Sequence, residues 1–387
     1  MAVVTLKPVQ VAELVNIATK QTLGEDGQLV QEDLSNGVVD LGVQLENANA
    51  YKNWCANLMI EQAQKIFSYR KYNAKDLGIL KSNFEYGLLT QKIKQKLPKA
   101  VDNSSFKLVN NASYDDNVYH KNDVLVKIFK EQATFECVKS ITEEQLKTAF
   151  TSDVELSNFV SQTFGYVENA LELFMENLEK LTINNMIGET FVNNTGADEN
   201  VRVIKLLTNY KTEVDPSSTL TSDTCLFNKE FIRYAVSIIN EYMGLLEKYN
   251  TIFNVEHLET FTPKDLQHVL LLEKFNSNAK TYLDSDTFHN EFVQLPYGRT
   301  IPYFQSLGDG SLKDKSTINI KTASGNDVNK SYIVACIFDH DALGMRQNKP
   351  RNRSHEVNSA EFTNYWFKKL FSYFNDMSES MVVFTLE

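Results

Sequence analysis

The chain has 387 residues, of which 42% are apolar and 23% charged, with a formal net charge of −11. This composition can fill a sizeable core and excludes an extended disordered protein, while the negative balance excludes general affinity for nucleic acid or anionic membranes. The N-terminus lacks a basic-then-apolar signal layout and no apolar run approaches the ~20 residues that span a bilayer, so a soluble cytoplasmic product with no membrane partner is expected.

Residues 1 to about 46 hold seven acids against two basic residues, and glycines at 24, 27, 37 and 42 interrupt any periodicity, so this part reads as an arm. From Glu46 to Tyr69 the residues Trp54, Cys55, Leu58, Met59, Ala63, Ile66 and Phe67 recur at helical spacing and predict an amphipathic helix. Between Lys65 and Lys107 the charge reverses to ten basic residues against three acids. Lys92, Lys94, Lys96, Lys99 and Lys107 lie in its turn-rich part, which reads as an extended basic loop. Val124–Val138 alternates as strands do.

Thr142 with Gln145, and Ser152 with Glu155, have capping-box form. After the second, apolar residues from Leu156 to Leu181 repeat every three or four positions and predict a helix from about Val154 to Ile187, roughly 50 Å long. The spacing is not a strict heptad, which favours a single spine helix on a sheet over a coiled coil. Beyond Val201 a mixed α/β unit is predicted. It has helices from Asn228 to Tyr249, from Thr262-Pro263 with Asp265 at the third position, and over about Ser285 to Leu295. Tyr332–Phe338 is continuously apolar, as a strand buried on both faces should be. An aromatic segment, Phe362–Phe374, and a strand-like Met381–Glu387 close the chain.

Cys55, Cys137, Cys225 and Cys336 are widely spaced with no CxxC pair and read as buried thiols. The glycines form no phosphate-cradling motif, and GxSxG and HExxH are absent, so no catalytic site or cofactor is expected. One cluster, Asp339, His340 and Asp341 with His355, has donor types that suit a metal-dependent hydrolase. The preferred reading is a polar strand end, because adjacent residues on a strand point to opposite sides. Arg346, Lys349, Arg351 and Arg353 make a basic loop, either solvated or facing an acidic partner. Oppositely charged extensions on one chain suit contacts between neighbouring copies.

The stretch from about Val124 to Leu181, with Leu146–Phe150 (LKTAF) ahead of the long helix as its closest piece, resembles the major capsid proteins of the phi29 group of small podoviruses. The C-terminal order is similar too: a buried strand ending in Asp339-His340-Asp341, a basic loop, an aromatic return and a last apolar strand. The resemblance is weak between Val201 and Asp314 and slight before Asn47.

It implies an α+β, HK97-like capsid fold, divided into an N-terminal arm (1–70), an extended loop (71–123), a peripheral domain (124–200 plus 351–387) and an axial domain (201–350). It also implies a head shell of hexamers and pentamers, assembled in the host cytoplasm and ending in the virion. Scaffolding, portal and decoration proteins are its implied partners, and packaged DNA touches the inner face non-specifically. Lys92, Lys94, Lys96, Lys99, Lys107, Arg346, Lys349, Arg351 and Arg353 become candidates for contacts between subunits. An encapsulin-like, non-viral shell of the same fold is the alternative.

Overall fold

The computed structural model describes residues 8–24, 27, 29–31, 37–48, 50, 51, 53–55, 57, 58, 77–84, 90–96, 110, 111, 124–145, 153–284, 298–305 and 311–387. The expected helix over Ser285–Leu295, the LKTAF stretch, Ser152 of the second capping box, Lys99 and Lys107 lie outside them.

Two five-stranded sheets share one long helix. The first sheet is built on β10 (Ile333–Asp339), whose residues are all buried, as the sequence pattern predicts. β10 pairs antiparallel with β14 (Met381–Thr385) and β6 (Gln267–Leu272). β5 (Val203–Lys205) and β7 (Arg299–Ile301) flank them in parallel. The last strand, expected with the peripheral part, belongs here instead, because MVVFT is apolar on both faces and buried throughout. Helix Lys229–Leu246 covers this sheet with Phe231, Ile232, Val236 and Ile239. Asn228, where the helix is expected to start, caps it by accepting from the Phe231 N–H at 2.9 Å.

The helix expected at Thr262-Pro263 is absent. Pro263 is extended (ψ 153), a single 3₁₀ turn follows at Lys264–Leu266, and the chain enters β6. The apolar run Val269–Leu272 gains more from central sheet pairing, where it is fully buried, than the local cap chemistry offers. Helix Glu273–Asp284 begins only after it.

The second sheet is organised by β13 (Phe362–Asn375). One edge of β13 pairs with β4 (Gln132–Thr142) over eleven residues, from Phe362 to Ser372. The other edge pairs with β12 (Arg351–Val357) and then β11 (Leu343–Gln347), and β1 (Leu80–Asn83) lies parallel on β11. The first capping box forms as predicted, with Thr142 and Gln145 exchanging two 3.2 Å bonds.

The spine is a helix of 40 residues, Asp153–Val192, about 60 Å long and longer than predicted at both ends. Its Leu178, Ile183, Met186 and Ile187 enter the core of the first sheet. Val167 and Leu171 enter a separate cluster under the second sheet. The arm belongs to that cluster. Helices Pro8–Leu23 and Val38–Asn47, with helical residues between 51 and 58, bury Val15, Leu41, Leu45, Trp54 and Leu58 against Tyr365 and Phe367. The Trp54 indole donates to Thr19 Oγ1 at 3.1 Å. Two of the glycines that break the sequence periodicity mark helix ends, Gly24 after the first helix and Gly37, at φ 91, before the second, whereas Gly42 is buried inside the second.

Close approach also demands a glycine at 344. A Cβ there would stand 2.1 Å from Cε1 of Phe374, a ring that itself stacks on Phe129 at 4.9 Å. Gly344→Ala is expected to cost about 1–3 kcal/mol by displacing that stack. A urea titration should show a lower midpoint with unchanged slope.

Candidate assembly surface

β13 separates a buried face from an open one. Tyr365, Phe367 and Phe371 point to the arm and spine, while Asn364, Trp366 and Lys368 point the other way and are only half-buried. Register extends that open face across three strands: Arg353 sits beside Trp366 and Val138, Arg351 beside Lys368 and Glu136, and His355 beside Asn364 and Ser140. Lys368 is paired with Glu136 at 2.5 Å. Arg351 and Arg353 are exposed and have no charged partner among the described residues. β12 pairs only with β13 among those residues, so its outer edge is bare.

Arg346 is placed differently. It lies in β11 with its guanidinium 5.3 Å from the Phe84 ring centre. Lys349 occupies the turn between β11 and β12.

Within the expected extended loop (71–123), β1 is followed by β2 (Thr90–Gln95), which forms a hairpin with β3 (Val124–Phe129) just beyond it. Alternation sends Lys92, Lys94 and Lys127 inward and leaves Ile93, Val124, Val126 and Ile128 outside, between 48% and 62% exposed. The inward lysines meet three acids of their own subunit. Lys127 Nζ donates to Asp376 Oδ1 at 2.8 Å and to Glu256. Lys92 Nζ lies 2.9 Å from Asp376 Oδ2 and also reaches Glu379 and, at 3.0 Å, the Asp341 carbonyl. Lys94 pairs with Glu379 at 2.5 Å.

Of the nine residues expected to reach a neighbour, Lys92 and Lys94 thus make ion pairs within the chain, and Arg346 packs on Phe84. The acids sit some 130 to 290 positions away in sequence, too far for any local pattern to reveal. Strand alternation of Lys with apolar residues is the signal that places Lys127 with the other two. Lys96 follows β2 and is exposed.

The Asp376 side chain is fully buried. Burial alone would raise its pKa, but Lys92, Lys127 and Ser378 hold the carboxyl well below the usual range. Lys92 is pulled down by burial and more than restored by Asp376 and Glu379, ending above its ordinary value.

The residues of the metal reading do not converge. Asp339 accepts from Thr262 Oγ1 at 2.7 Å and from the Asp341 N–H at 2.8 Å, and burial raises its pKa. His340 turns to His268, Nδ1 to Nε2 at 2.8 Å, and His268 Nδ1 meets Arg299 at 2.6 Å. His355 belongs to the other sheet, 6.5 Å from the Trp366 ring. No group of three or more His, Cys, Asp or Glu able to hold a metal occurs among the described residues. The cysteines are free, and burial pushes Cys55 and Cys225 up to about 12, so they are inert thiols. No described helix is long and apolar enough to cross a membrane.

The sequence profile of the Phi29-like phage major capsid protein family matches residues 15–385. None of the curated proteins matches the sequence. Among solved structures, a chain from native bacteriophage P68, in a structure of its head fiber and inner core protein, is 10% identical with TM-score 0.52, covering 82% of this chain and 89% of that one. A chain of the Staphylococcus phage Andhra capsid is 9% identical with TM-score 0.49, covering 82% and 88%. A chain of the cyanophage P-SCSP1u capsid is 9% identical with TM-score 0.45, covering 83% and 93%.

A carboxylate with a depressed folded pKa stabilises above its unfolded value near ~3.9, and that stability is lost as pH falls toward the folded one. Asp376→Asn should therefore cost about 1–3 kcal/mol at neutral pH, less than in a fully buried pair because the lysines can rehydrate. The cost should be smaller but still present near about pH 3, below the unfolded value and above the depressed folded one, where the wild type has lost only part of the same term. Denaturant titrations at both pH values check this, and an equal loss at each would contradict it.

Proposed function

The chain belongs to the Phi29-like phage major capsid protein family and builds a phage head shell with an HK97-like fold, and on that premise we propose where its copies meet. The open face of the β4–β13–β12 sheet, with Arg351 and Arg353 on its bare edge, is one side of the contact. The outer, apolar face of the hairpin on a neighbouring copy is the other, with Lys96 at the end of β2 and Lys349 beside β12 adding positive charge, and with Lys99 and Lys107 kept as candidates from the sequence alone. Arg346 braces Phe84 at the rim of the same region. The observation that carries this reading is the polarity of the hairpin, which leaves four β-branched side chains in solvent on an isolated subunit.

The rest of the assignment follows the two sheets. The sheet around β10 and its helices form the axial part, which gathers at the centres of hexamers and pentamers. The sheet around β13, with the arm beneath it, forms the peripheral part, and β14 returns to the axial sheet. A net charge of −11 suits a container that holds DNA at its inner face without gripping it. A scaffolding protein guides curvature, a portal occupies one vertex, and the host cytoplasm is the place of assembly. Decoration proteins would bind outside.

Paired variants test the contact. Arg351→Ala with Arg353→Ala, and separately Ile93→Ser with Val126→Ser, change exposed side chains and should shift subunit stability by no more than about 0.5 kcal/mol. Both should abolish shells or capsomers, seen by sedimentation and negative-stain microscopy, at concentrations where the wild type assembles. Normal shells from both variants would place the contact elsewhere.

A further inference from the structure

We infer that the β2–β3 hairpin is a strap latched onto its own subunit by the charge-balanced cluster of Lys92, Lys94 and Lys127 with Asp376, Glu379 and Glu256, and that opening this latch frees the hairpin without unfolding either sheet.

The pairing pattern is the first ground. β2 and β3 hydrogen-bond to each other and to neither five-stranded sheet, so no ladder has to break when the hairpin leaves. The inner face is the second. What holds it is mainly lysine on carboxylate, with the side chains of the three lysines 18–26% exposed and thus within reach of water and salt. The apolar anchors are few: Phe129 stacks on Phe374, and Leu125 is half-buried.

The receptor supplies the third ground, because its loop is held by bonds that do not involve the strap. Asp376 keeps the N–H and hydroxyl of Ser378, at 3.0 and 2.6 Å. Its own N–H donates to the Ala342 carbonyl at 2.8 Å, and the next residue's carbonyl accepts from Val255 at 3.0 Å. Release of the lysines leaves that loop, which joins β13 to β14, in place.

A hairpin meant to stay put would turn its valines in and its lysines out. This one does the reverse, so its resting position satisfies only the charged face, and a second position is needed for the apolar one. The use of the released strap rests on the shell reading above. The latch itself is a property of the single subunit and is tested there.

Hydrogen exchange on the soluble subunit reads the latch directly. A two-stranded hairpin on its own is marginal in water, so once unlatched its amides should lose protection. In 1 M salt, and in Lys92→Gln with Lys127→Gln at low salt, amides of 90–95 and 124–129 should exchange at least about tenfold faster. Those of β10 and β13 should stay unchanged. Exchanging one pair, Lys127→Glu with Glu256→Lys, should keep more protection than Lys127→Glu alone. Hairpin protection indifferent to salt and to the glutamine variant would overturn the latch, since apolar contact would then be what holds it. Hairpin and β13 amides accelerating together would overturn it too, since the cluster would then be part of the global fold. Shells that fail to form from a subunit with normal latch behaviour would count against the assembly reading alone.

Discussion

The helix Asp153–Val192 has one apolar stripe and two sheets that need it. Its later half closes the core around β10 through Ile183, Met186 and Ile187, and its earlier half supports the cluster under β13 through Val167 and Leu171. Neither sheet can be rotated against the other without bending some 60 Å of helix or exposing one of these contacts. A second tie runs beside it, where β13 passes directly into β14 through residues 376–380. The subunit is thus stiff along its length, and any adjustment to neighbours at different angles has to come from parts that neither tie constrains. Among the described residues, the hairpin is such a part, being paired with neither five-stranded sheet.

Energy is distributed accordingly. The two cores are dense with aliphatic and aromatic side chains, each worth a few kcal/mol when buried. The hairpin depends on ion pairs, which near a protein surface contribute little individually and fade with salt. What makes this cluster specific is geometry: Asp376 is fully buried, so only ammonium groups delivered at the right height by two alternating strands can compensate it. Strength resides where shape must be kept, and reversible charge where position must change.

The sequence was most readable where a single physical demand acted. Ile333–Asp339 has to be apolar on both faces of a central strand, and the repeat from Leu156 to Leu181 admits only a helix. Thr262-Pro263 misled because a local signal for a helix start competed with a tertiary demand, and pairing of Val269–Leu272 beside β10 prevailed. The arm misled for a different reason. Gly24 and Gly37 look like interruptions to a periodicity, whereas they bound short helices whose apolar residues match only when three pieces meet around Trp54. Lys92 and Lys94 read as part of a basic loop although they alternate with apolar residues as Lys127 does, and nothing near them in sequence announced Asp376 or Glu379, which come close only because β13 turns into β14 beside the hairpin. The metal reading of Asp339, His340, Asp341 and His355 was open on residue types alone, and it lapsed once strand order put His355 in the other sheet and gave Asp339 to Thr262.

Polarity on the hairpin bears on how a closed shell can be reached at all. A subunit that displayed a fixed, strongly apolar edge would join copies wherever they first touched, and errors in curvature would be locked in. Here the apolar ladder is carried by an element whose other face is satisfied at home, so gaining a neighbour requires giving up ion pairs or keeping them while the neighbour approaches from outside. The first route leaves a small net gain per contact, because ion pairs are exchanged for apolar area and not simply added to it. Small gains can be reversed while a misplaced copy still has few neighbours, and become irreversible once several contacts close around it. On the proposed contact, the inward lysines would lower the affinity of single encounters, and stability would then emerge from repetition.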